Sequence, residues 1–420
     1  MSLPEEFILR ILRKPEEEAQ RQAYPDGFPE ALRIPVERYT SREFFSLEKK
    51  HVFEKCWLFV AHVQQLPEVG SYLFLEQLEG IGIPIFLLRG EDHKIRAFYN
   101  SCLHRGGPVV TDPSGTVNGR LRCAYHAWSY DTQGELRTVP QKKNFSRTIV
   151  AGCRSLKQIE CETWGHFVFV RIEEGEDSLE DFLGPVIQEF EGTWGPEVSN
   201  VNFAEMRVTP VAANWKLPGD ANIETYHVPI IHHTAGAGRV EAERTGQWLL
   251  PNGHSRMLVK FGDRVRFPPQ AVFEGDTMLA EAGVFSYHLF PNLHFVLTGP
   301  SAGMVISCFP GNEPGECKFY THYITAIEPT EKNARRIERA TNSNHLVLLE
   351  DLEPQSHIQR SYQSRGVTHL NLQYQEYRIY HVHVELDRWI GADRVPAELL
   401  LDDCLSEYVE TADSVQGNHL

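Results

Sequence analysis

Two short patterns in this chain bring together residue types that bind iron. In the first, Cys102-Leu103-His104 is followed after 18 residues by Cys123-Ala124-Tyr125-His126. Two thiolates and two imidazoles on a matched pair of loops suit a [2Fe–2S] cluster, with sulfur on one iron and nitrogen on the other. Histidine in place of two of the four cysteines raises the potential of such a cluster well above that of an all-cysteine centre. The second pattern is Glu224-Thr225-Tyr226-His227-Val228-Pro229-Ile230-Ile231-His232. An Fe(II) that activates O2 needs two histidines and a carboxylate on one face, with the remaining positions open. His227 and His232 can supply the imidazoles. An electron store and an oxygen-activating iron in one chain point to an oxidoreductase.

The spacing of the second pattern carries its own geometry. Residues five apart lie about 140° apart on an ideal helix, so a regular helix would separate the two histidines. Pro229 is expected to break the helix just past His227 and let His232 swing back. The same spacing separates the pattern from His-Glu-x-x-His zinc sites, which use an intact helix. Glu224 stands three residues before His227 and is expected on the same helix face. There its carboxylate could take the free N–H of a metal-bound imidazole.

These residues need elements to hold them. The 420-residue length suggests two domains, and 41% apolar with 23% charged residues is the balance of a folded soluble protein. Residues 1–45 are charged, with Phe7, Ile8, Ile11 and Leu12 at helical spacing, a packing or subunit-contact helix. Residues 46–172 read as a small all-β domain with the first motif in its loops. Its strands are predicted at 71–75, 83–88, 96–100 and 166–170, punctuated by Gly106-Gly107, Asn118-Gly119 and Gln133-Gly134. Residues 173–420 mix strands at 257–261, 285–290, 293–297, 304–309 and 318–327 with helical patterns at 177–191, 331–359 and 396–409. Segregated strands and helices give an α+β class, an antiparallel sheet flanked by helices.

The net charge of −16 argues against nucleic acid and against an acidic membrane surface. No apolar run reaches the roughly 18 residues of a bilayer span, and Glu5 and Glu6 stand where a signal peptide would be basic. A cytoplasmic location is expected. Of the eight cysteines, those at 56, 153, 161, 308, 317 and 404 lack a histidine at ligand spacing and are expected to be small buried hydrophobes. His51, His288, His294, His322, His381 and His383 are expected to be structural.

Thiolates and imidazoles at the spacing of the first motif also bind zinc. An electron carrier or a zinc-stabilised binding module is therefore the alternative from another class. The interleaving of histidine with cysteine in both halves, the β-hairpin setting and the second motif favour the cluster. Gly106 and Gly107 let the backbone approach it closely, and Tyr125 and Trp128 are expected to form an apolar shell.

Cys102-Leu103-His104-Arg105-Gly106-Gly107 with Cys123-Ala124-Tyr125-His126-Ala127-Trp128-Ser129-Tyr130-Asp131 closely resembles the N-terminal domain of the large (alpha) subunits of Rieske non-haem iron oxygenases of the ring-hydroxylating type. The resemblance runs from roughly residue 40 to the C-terminus. It implies that Cys102 and Cys123 hold the outer iron of a Rieske cluster and His104 and His126 the other. Asn214-Trp215-Lys216 with Glu224 to His232 matches the family's iron segment, with His227 and His232 as ligands and His233 as a decoy. The third ligand is then Asp351, second of the acidic pair Glu350-Asp351 and eight residues before Gln359, with Glu353 as the alternate.

The same resemblance implies that Glu224 links His227 to the cluster histidine, His126, of a neighbouring subunit. That arrangement goes with head-to-tail rings of three, as a homotrimer or as α3β3 with a small subunit. No dinucleotide fingerprint is present, since Gly236-Ala237-Gly238-Arg239 lacks the third glycine. Electrons are thus expected from an external NAD(P)H-dependent reductase, with or without a ferredoxin. The implied reaction uses O2 to hydroxylate a small organic, typically aromatic, substrate. Glutamate at 224, rather than aspartate, and Ala221, where asparagine is common, depart from the aromatic dioxygenases. The glutamate favours mono-oxygenation with loss of an N- or O-alkyl group, or action on a quaternary ammonium compound.

Overall fold

The structure, a computed structural model, describes residues 3–194, 200–232, 240–261, 271–272, 278–299 and 302–410. His233 and the Gly236 to Arg239 run lie outside the described residues. The chain forms two compact units, Glu54–Leu179 and Met1–Phe53 with Glu180–Leu420. Among the described residues no helix is long and apolar enough to cross a membrane.

The smaller unit is built from short β-branched and aromatic runs between turn residues. Its strands are β1 (Leu58–His62), β2 (Ser71–Phe74), β3 (Ile85–Arg89), β4 (Ile95–Tyr99), β5 (Ser114–Thr116), β6 (Leu121–Arg122), β7 (Ser129–Tyr130), β8 (Leu136–Thr138), β9 (Gln158–Trp164) and β10 (Phe167–Arg171). Seven form an antiparallel sheet in the order β1-β10-β9-β4-β3-β2-β5, and β6-β7-β8 form a second, smaller one. Ile85 to Leu88 are all buried, which explains why β3 is apolar without alternation.

The larger unit is organised on a seven-stranded antiparallel sheet. Its strands are β11 (Asn202–Val211), β12 (Val240–Leu249), β13 (Ser255–Phe261), β14 (Gly283–Leu289), β15 (Leu293–Leu297), β16 (Gly303–Pro310) and β17 (Cys317–Thr325). The spatial order is β11-β17-β16-β15-β14-β13-β12. Helix α1 (Glu5–Gln20) buries Phe7, Ile8, Ile11 and Leu12, and its Glu16 pairs with Arg244 on β12 at 2.7 Å.

The helices depart from expectation in instructive ways. The pattern at 177–191 is two helices, α2 (Leu179–Leu183) and α3 (Val186–Trp194), parted by Gly184 at φ +53 and by Pro185. Two short helices follow, α4 (Lys216–Ala221) and α5 (Val228–Ile231). The pattern at 331–359 breaks at Pro354 into α6 (Glu331–Leu352) and α7 (Gln355–Gln363). Residues 396–409 are not a regular helix and hold only a short turn, Ser406–Tyr408. Their backbone groups bond elsewhere: Leu399 O accepts from Arg38 at 2.7 Å, Leu401 N–H donates to Asp387 at 3.0 Å, and Asp402 O accepts from Tyr380 at 3.0 Å. The last helix, α8 (Tyr377–Ile390), is not among the predicted ones; it is buried on nearly every side, its polar stripe Arg378, His381 and Glu385 included.

The cysteines also divide. Cys56, Cys308 and Cys317 are buried as expected, whereas Cys153, Cys161 and Cys404 are only half-buried.

Candidate cluster and iron sites

In the smaller unit, Cys102 and His104 lie on the loop after β4, and Cys123 and His126 on the loop between β6 and β7. The two loops are built alike. Cys102 N–H bonds Gly107 O and Gly106 N–H bonds Cys102 O, both at 2.8 Å. Cys123 N–H bonds Trp128 O and Ala127 N–H bonds Cys123 O, both at 3.0 Å. The fourth residue after each cysteine is left-handed, Gly106 at φ +72 and Ala127 at φ +58. An L residue spends about 1–2 kcal/mol on that conformation, so Ala127 carries strain that Gly106 avoids.

Both cysteines belong to the unit's core, together with Trp128 and Tyr130. The Nδ1 atoms of His104 and His126 face each other at 3.1 Å. That is the separation of neighbouring ligands on one ion with bonds of about 2.1 Å. His104 stacks on Trp128 at 5.1 Å and 9°. Tyr125 lies against His126 but is 61% exposed, so of the expected apolar shell only Trp128 is buried. A Cβ on Gly107 would stand 3.4 Å from Cys123 Sγ, which shows how closely the backbone approaches the sulfur. Tyr130 Oη accepts the Leu103 N–H at 3.0 Å and lies 3.1 Å from Cys102 Sγ. A cluster-bound thiolate can only accept, so with Cys102 in that role the tyrosine hydroxyl is the donor. Burial, and then the bond to Cys102, raise the Tyr130 pKa, which keeps the phenol a donor.

In the larger unit, His227 and His232 cap the two ends of the one-turn helix α5. Pro229 sits in its first turn, where a missing N–H costs nothing, so it starts this helix and does not break a longer one. His232 leaves α5 extended, at φ −83 and ψ 107, and its ring centroid comes within 5.3 Å of that of His227. Glu224 does not share a helix with His227. It lies in the turn between α4 and α5, where one carboxylate oxygen accepts the N–H groups of Tyr226 and His227 and the other contacts His227 Nδ1.

Asp351 reaches the same point from α6. Nε2 of His227 and Nε2 of His232 each lie 3.2 Å from Asp351 Oδ1. Gln355 Nε2 donates to the Asp351 carbonyl at 2.8 Å, which fixes the end of the helix. On the far side of His232, Nδ1 meets Glu350 Oε2 at 3.0 Å. Each imidazole is thus held at Nδ1 by a glutamate and presents Nε2 to the aspartate. Asp351 Oδ1 is buried yet accepts no hydrogen bond from either ring. An orphaned carboxylate oxygen facing two imidazole nitrogens is satisfied by a cation placed between them, and these three side chains can hold one ion. Burial opposes protonation of His227, but the Asp351 and Glu224 carboxylates outweigh it and lift this imidazole to about 10. His232 is raised against burial by Asp351 and Glu350. The site is short of positive charge, and a dication would supply it. Glu353, by contrast, is exposed at the end of α6.

The triad opens on a cavity of about 360 Å³. One wall is a sheet face, with Met257, Val259, Val284, Val296 and Met304 on it; the other is the α6 stripe that includes Val347, Leu348 and Asp351. Period two on the strands and 3.6 on the helix place these residues on facing surfaces.

A profile of the Rieske [2Fe-2S] domain matches residues 56–160, and one of the ring hydroxylating alpha subunit (catalytic domain) matches 198–392. Carnitine monooxygenase oxygenase subunit of Escherichia coli K12 is 30% identical over 340 residues, 80% of this chain and 86% of that one. The chain belongs to the Rieske oxygenases. It is an oxygenase component with a Rieske [2Fe–2S] cluster, a mononuclear iron and O2 as co-substrate. Another relative, the alpha subunit of 2-aminobenzenesulfonate 2,3-dioxygenase from Alcaligenes sp, is 32% identical over 222 residues, 52% of this chain and 55% of its own length. A solved quaternary ammonium Rieske monooxygenase shares the fold at a TM-score of 0.72 and 22% identity, covering 89% of this chain and 99% of its own.

Two residues of this oxygenase escaped sequence reasoning. Tyr130 was visible only as part of a motif, and Glu350 only as the neighbour of Asp351. Their partners are set by folding and leave no local signal. The Asn214-Trp215-Lys216 stretch has a structural part. Asn214 Oδ1 accepts the Lys216 N–H at 3.1 Å, while Trp215 Nε1 and Lys216 Nζ reach the buried Glu48 at 3.2 and 2.6 Å. His381 and His383 are likewise in buried structural bonds, to Leu250 O and to Arg38.

Proposed function

We propose that this oxygenase hydroxylates a neutral, largely apolar organic substrate, with an aromatic ring the best fit. His227, His232 and Asp351 hold its iron; Cys102, His104, Cys123 and His126 hold its cluster. The observation that carries the substrate class is the cavity lining. Among the described residues Phe261 is its one aromatic side chain, and neither lysine nor arginine faces it. A quaternary ammonium is favoured by a cage of several rings, and a carboxylate by a cation; of the 22 described lining residues twelve are apolar, valine the commonest, and the polar ones include the triad and Glu224. The second reading, oxidation of a quaternary ammonium with loss of an alkyl group, draws on Glu224 and on the carnitine relative.

When bound, the cluster supplies single electrons and the iron activates O2. The protein's own residues do the rest. Glu224 and Glu350 fix the two rings so that both Nε2 atoms converge. Valine and methionine walls exclude water and orient the substrate. Tyr226 and Ile230, beside His227, are 67% and 71% exposed, and His126 is exposed next to Tyr125. Apolar surface at both places supports docking of one chain on another, with the electron passing from His126 of one subunit through Glu224 to His227 of the next in a ring of three, with or without a small subunit. The reductase is an external NAD(P)H-dependent protein, with or without a ferredoxin. Six cysteines besides Cys102 and Cys123, none in a disulfide, suit a cytoplasmic setting.

The test is a substrate panel with a surrogate reductase, preceded by iron analysis and electron paramagnetic resonance. The expected result is a Rieske signal, a separate mononuclear iron, and O2 uptake coupled to hydroxylated product with neutral arenes. Coupled turnover of quaternary ammoniums with formaldehyde release, and none of arenes, would replace this reading by the second.

A further inference from the structure

Besides Asp351 Oδ1, two residues lining the cavity each have a buried polar atom with nothing to bond. Ser286, on β14, is 3% exposed, and its Oγ is buried without a hydrogen-bond partner. It pairs across the sheet with Met257 on β13 and with Val296 on β15, and all three line the cavity. A hydroxyl therefore interrupts an otherwise apolar row. Asn344 lies on the cavity face of α6, and its Nδ2 is also buried without a partner. It precedes Asp351 by seven residues, which is two turns and about 10 Å along the helix. Buried polar atoms in folded proteins are nearly always satisfied, and an unmade bond is a cost that a ligand completing it removes.

We infer that Ser286 and Asn344 select the substrate by hydrogen-bonding an uncharged acceptor group at the end of the molecule remote from the iron. This rests on the reading of the cavity as the binding site of a neutral arene, and narrows it. Nδ2 only donates, so the ligand must present an acceptor; a serine hydroxyl can donate to the same group. The described lining has no lysine or arginine to balance an anion, which favours an uncharged acceptor. A carbonyl, ether or hydroxyl oxygen, or a ring nitrogen, meets the requirement. The ring carrying it is apolar, since valine and methionine face the rest of it. The span of two helical turns makes the substrate elongated, with the oxidised carbon near Asp351 and the acceptor near Asn344.

The experiment compares an aryl methyl ketone with an alkylbenzene of the same shape. Dissociation constants are measured by calorimetry on the iron-loaded protein, and KM and kcat with a surrogate reductase. The wild type is expected to bind the ketone at least about tenfold more tightly than the alkylbenzene. Asn344→Ala and Ser286→Ala are each expected to reduce that ratio several-fold, mainly through KM. Neither residue belongs to the triad or hydrogen-bonds to it, so iron content reports whether each variant is folded. A ratio near one in the wild type, or the same ratio in wild type and both iron-replete variants, overturns the inference while leaving the arene reading intact. Failure of both arenes to bind or turn over, with the iron in place, sinks the arene reading itself and this inference with it.

Discussion

Replacing Tyr130 by phenylalanine should lower the potential of the Rieske cluster. The hydroxyl accepts the Leu103 N–H at 3.0 Å and lies 3.1 Å from Cys102 Sγ, which as a cluster thiolate would accept its hydrogen. Reduction adds negative charge that the cluster shares with its sulfur ligands, so a donor at the sulfur favours the reduced state. A hydrogen bond to a charged group contributes about 1.5–3 kcal/mol, but only the part that differs between oxidation states moves the potential. Taking that part as about 1 kcal/mol, and 59 mV per tenfold for one electron, the shift is about −40 mV. The aromatic ring stays in place, so core packing with Trp128 is kept. The Leu103 N–H loses its partner, a cost of about 1 kcal/mol because this residue is only half-buried. The assay is a potentiometric titration followed by the paramagnetic signal of the reduced cluster. An unchanged or raised potential in a variant with full iron and sulfide content would refute the argument that Tyr130 donates to a cluster ligand.

Two further outcomes follow from buried carboxyl groups. Asp220 is fully buried and accepts the Tyr39 hydroxyl at 2.6 Å; burial lifts its pKa to about 7. Its folded value lies above the unfolded one, so its contribution to stability is whole below about pH 4, falls as pH rises to about 7 and stays lost above. Three pH units correspond to at most ~4 kcal/mol, and Asp220→Asn should flatten the fall. Urea midpoints at pH 5 and pH 8 measure it, and an equal pH dependence in wild type and variant would remove Asp220 as its source. Glu350→Gln should weaken iron binding at the mononuclear site about 10–100-fold, since carboxylates that orient metal-bound imidazoles have that effect. Chelator competition measures this directly, and an unaltered iron affinity would mean that Glu350 does not orient His232.

Sequence carried the chemistry further than it carried the supports. The pairing of Cys102 and His104 with Cys123 and His126 could be read because the spacing is local, and nine of the strands because β-branched and aromatic runs stop at glycine and proline; the shortest strands and those at 58–62, 158–164, 202–211 and 240–249 could not. Asp351 could be placed only through the resemblance, as the Asp351–His232 contact spans more than a hundred residues. Pro229 misled, because a proline that breaks a long helix and one that opens a one-turn helix look the same in sequence. Helix α8 stayed hidden because the alternation in Tyr380-His381-Val382-His383-Val384 masks a helical period, and its charged residues are buried in the fold. Ser286 and Asn344 gave no signal at all. A serine in a strand and an asparagine in a helix acquire meaning only when a cavity forms between them.

The most consequential supports are concentrated on one helix. Glu350 and Asp351 are consecutive on α6, and one holds the outer nitrogen of His232 while the other faces the inner nitrogens of both histidines. Because α5 is a single turn, His232 has little secondary structure of its own to fix it, and α6 fixes it instead. His227 is held separately, by Glu224 on the α4–α5 turn. The two halves of the triad therefore have different mechanical owners. A shift of α6 carries Asp351 and the anchor of His232 together and leaves His227 with the turn. The same helix presents Ser343, Asn344, Val347 and Leu348 to the cavity, and a helix moves more readily as a rigid rod than by local distortion. Substrate that seats against those side chains thus acts on the body that sets two of the three ligands. On the proposed function, α6 is then the element that connects occupancy of the cavity with Asp351 and His232, while the turn bearing Glu224 holds His227.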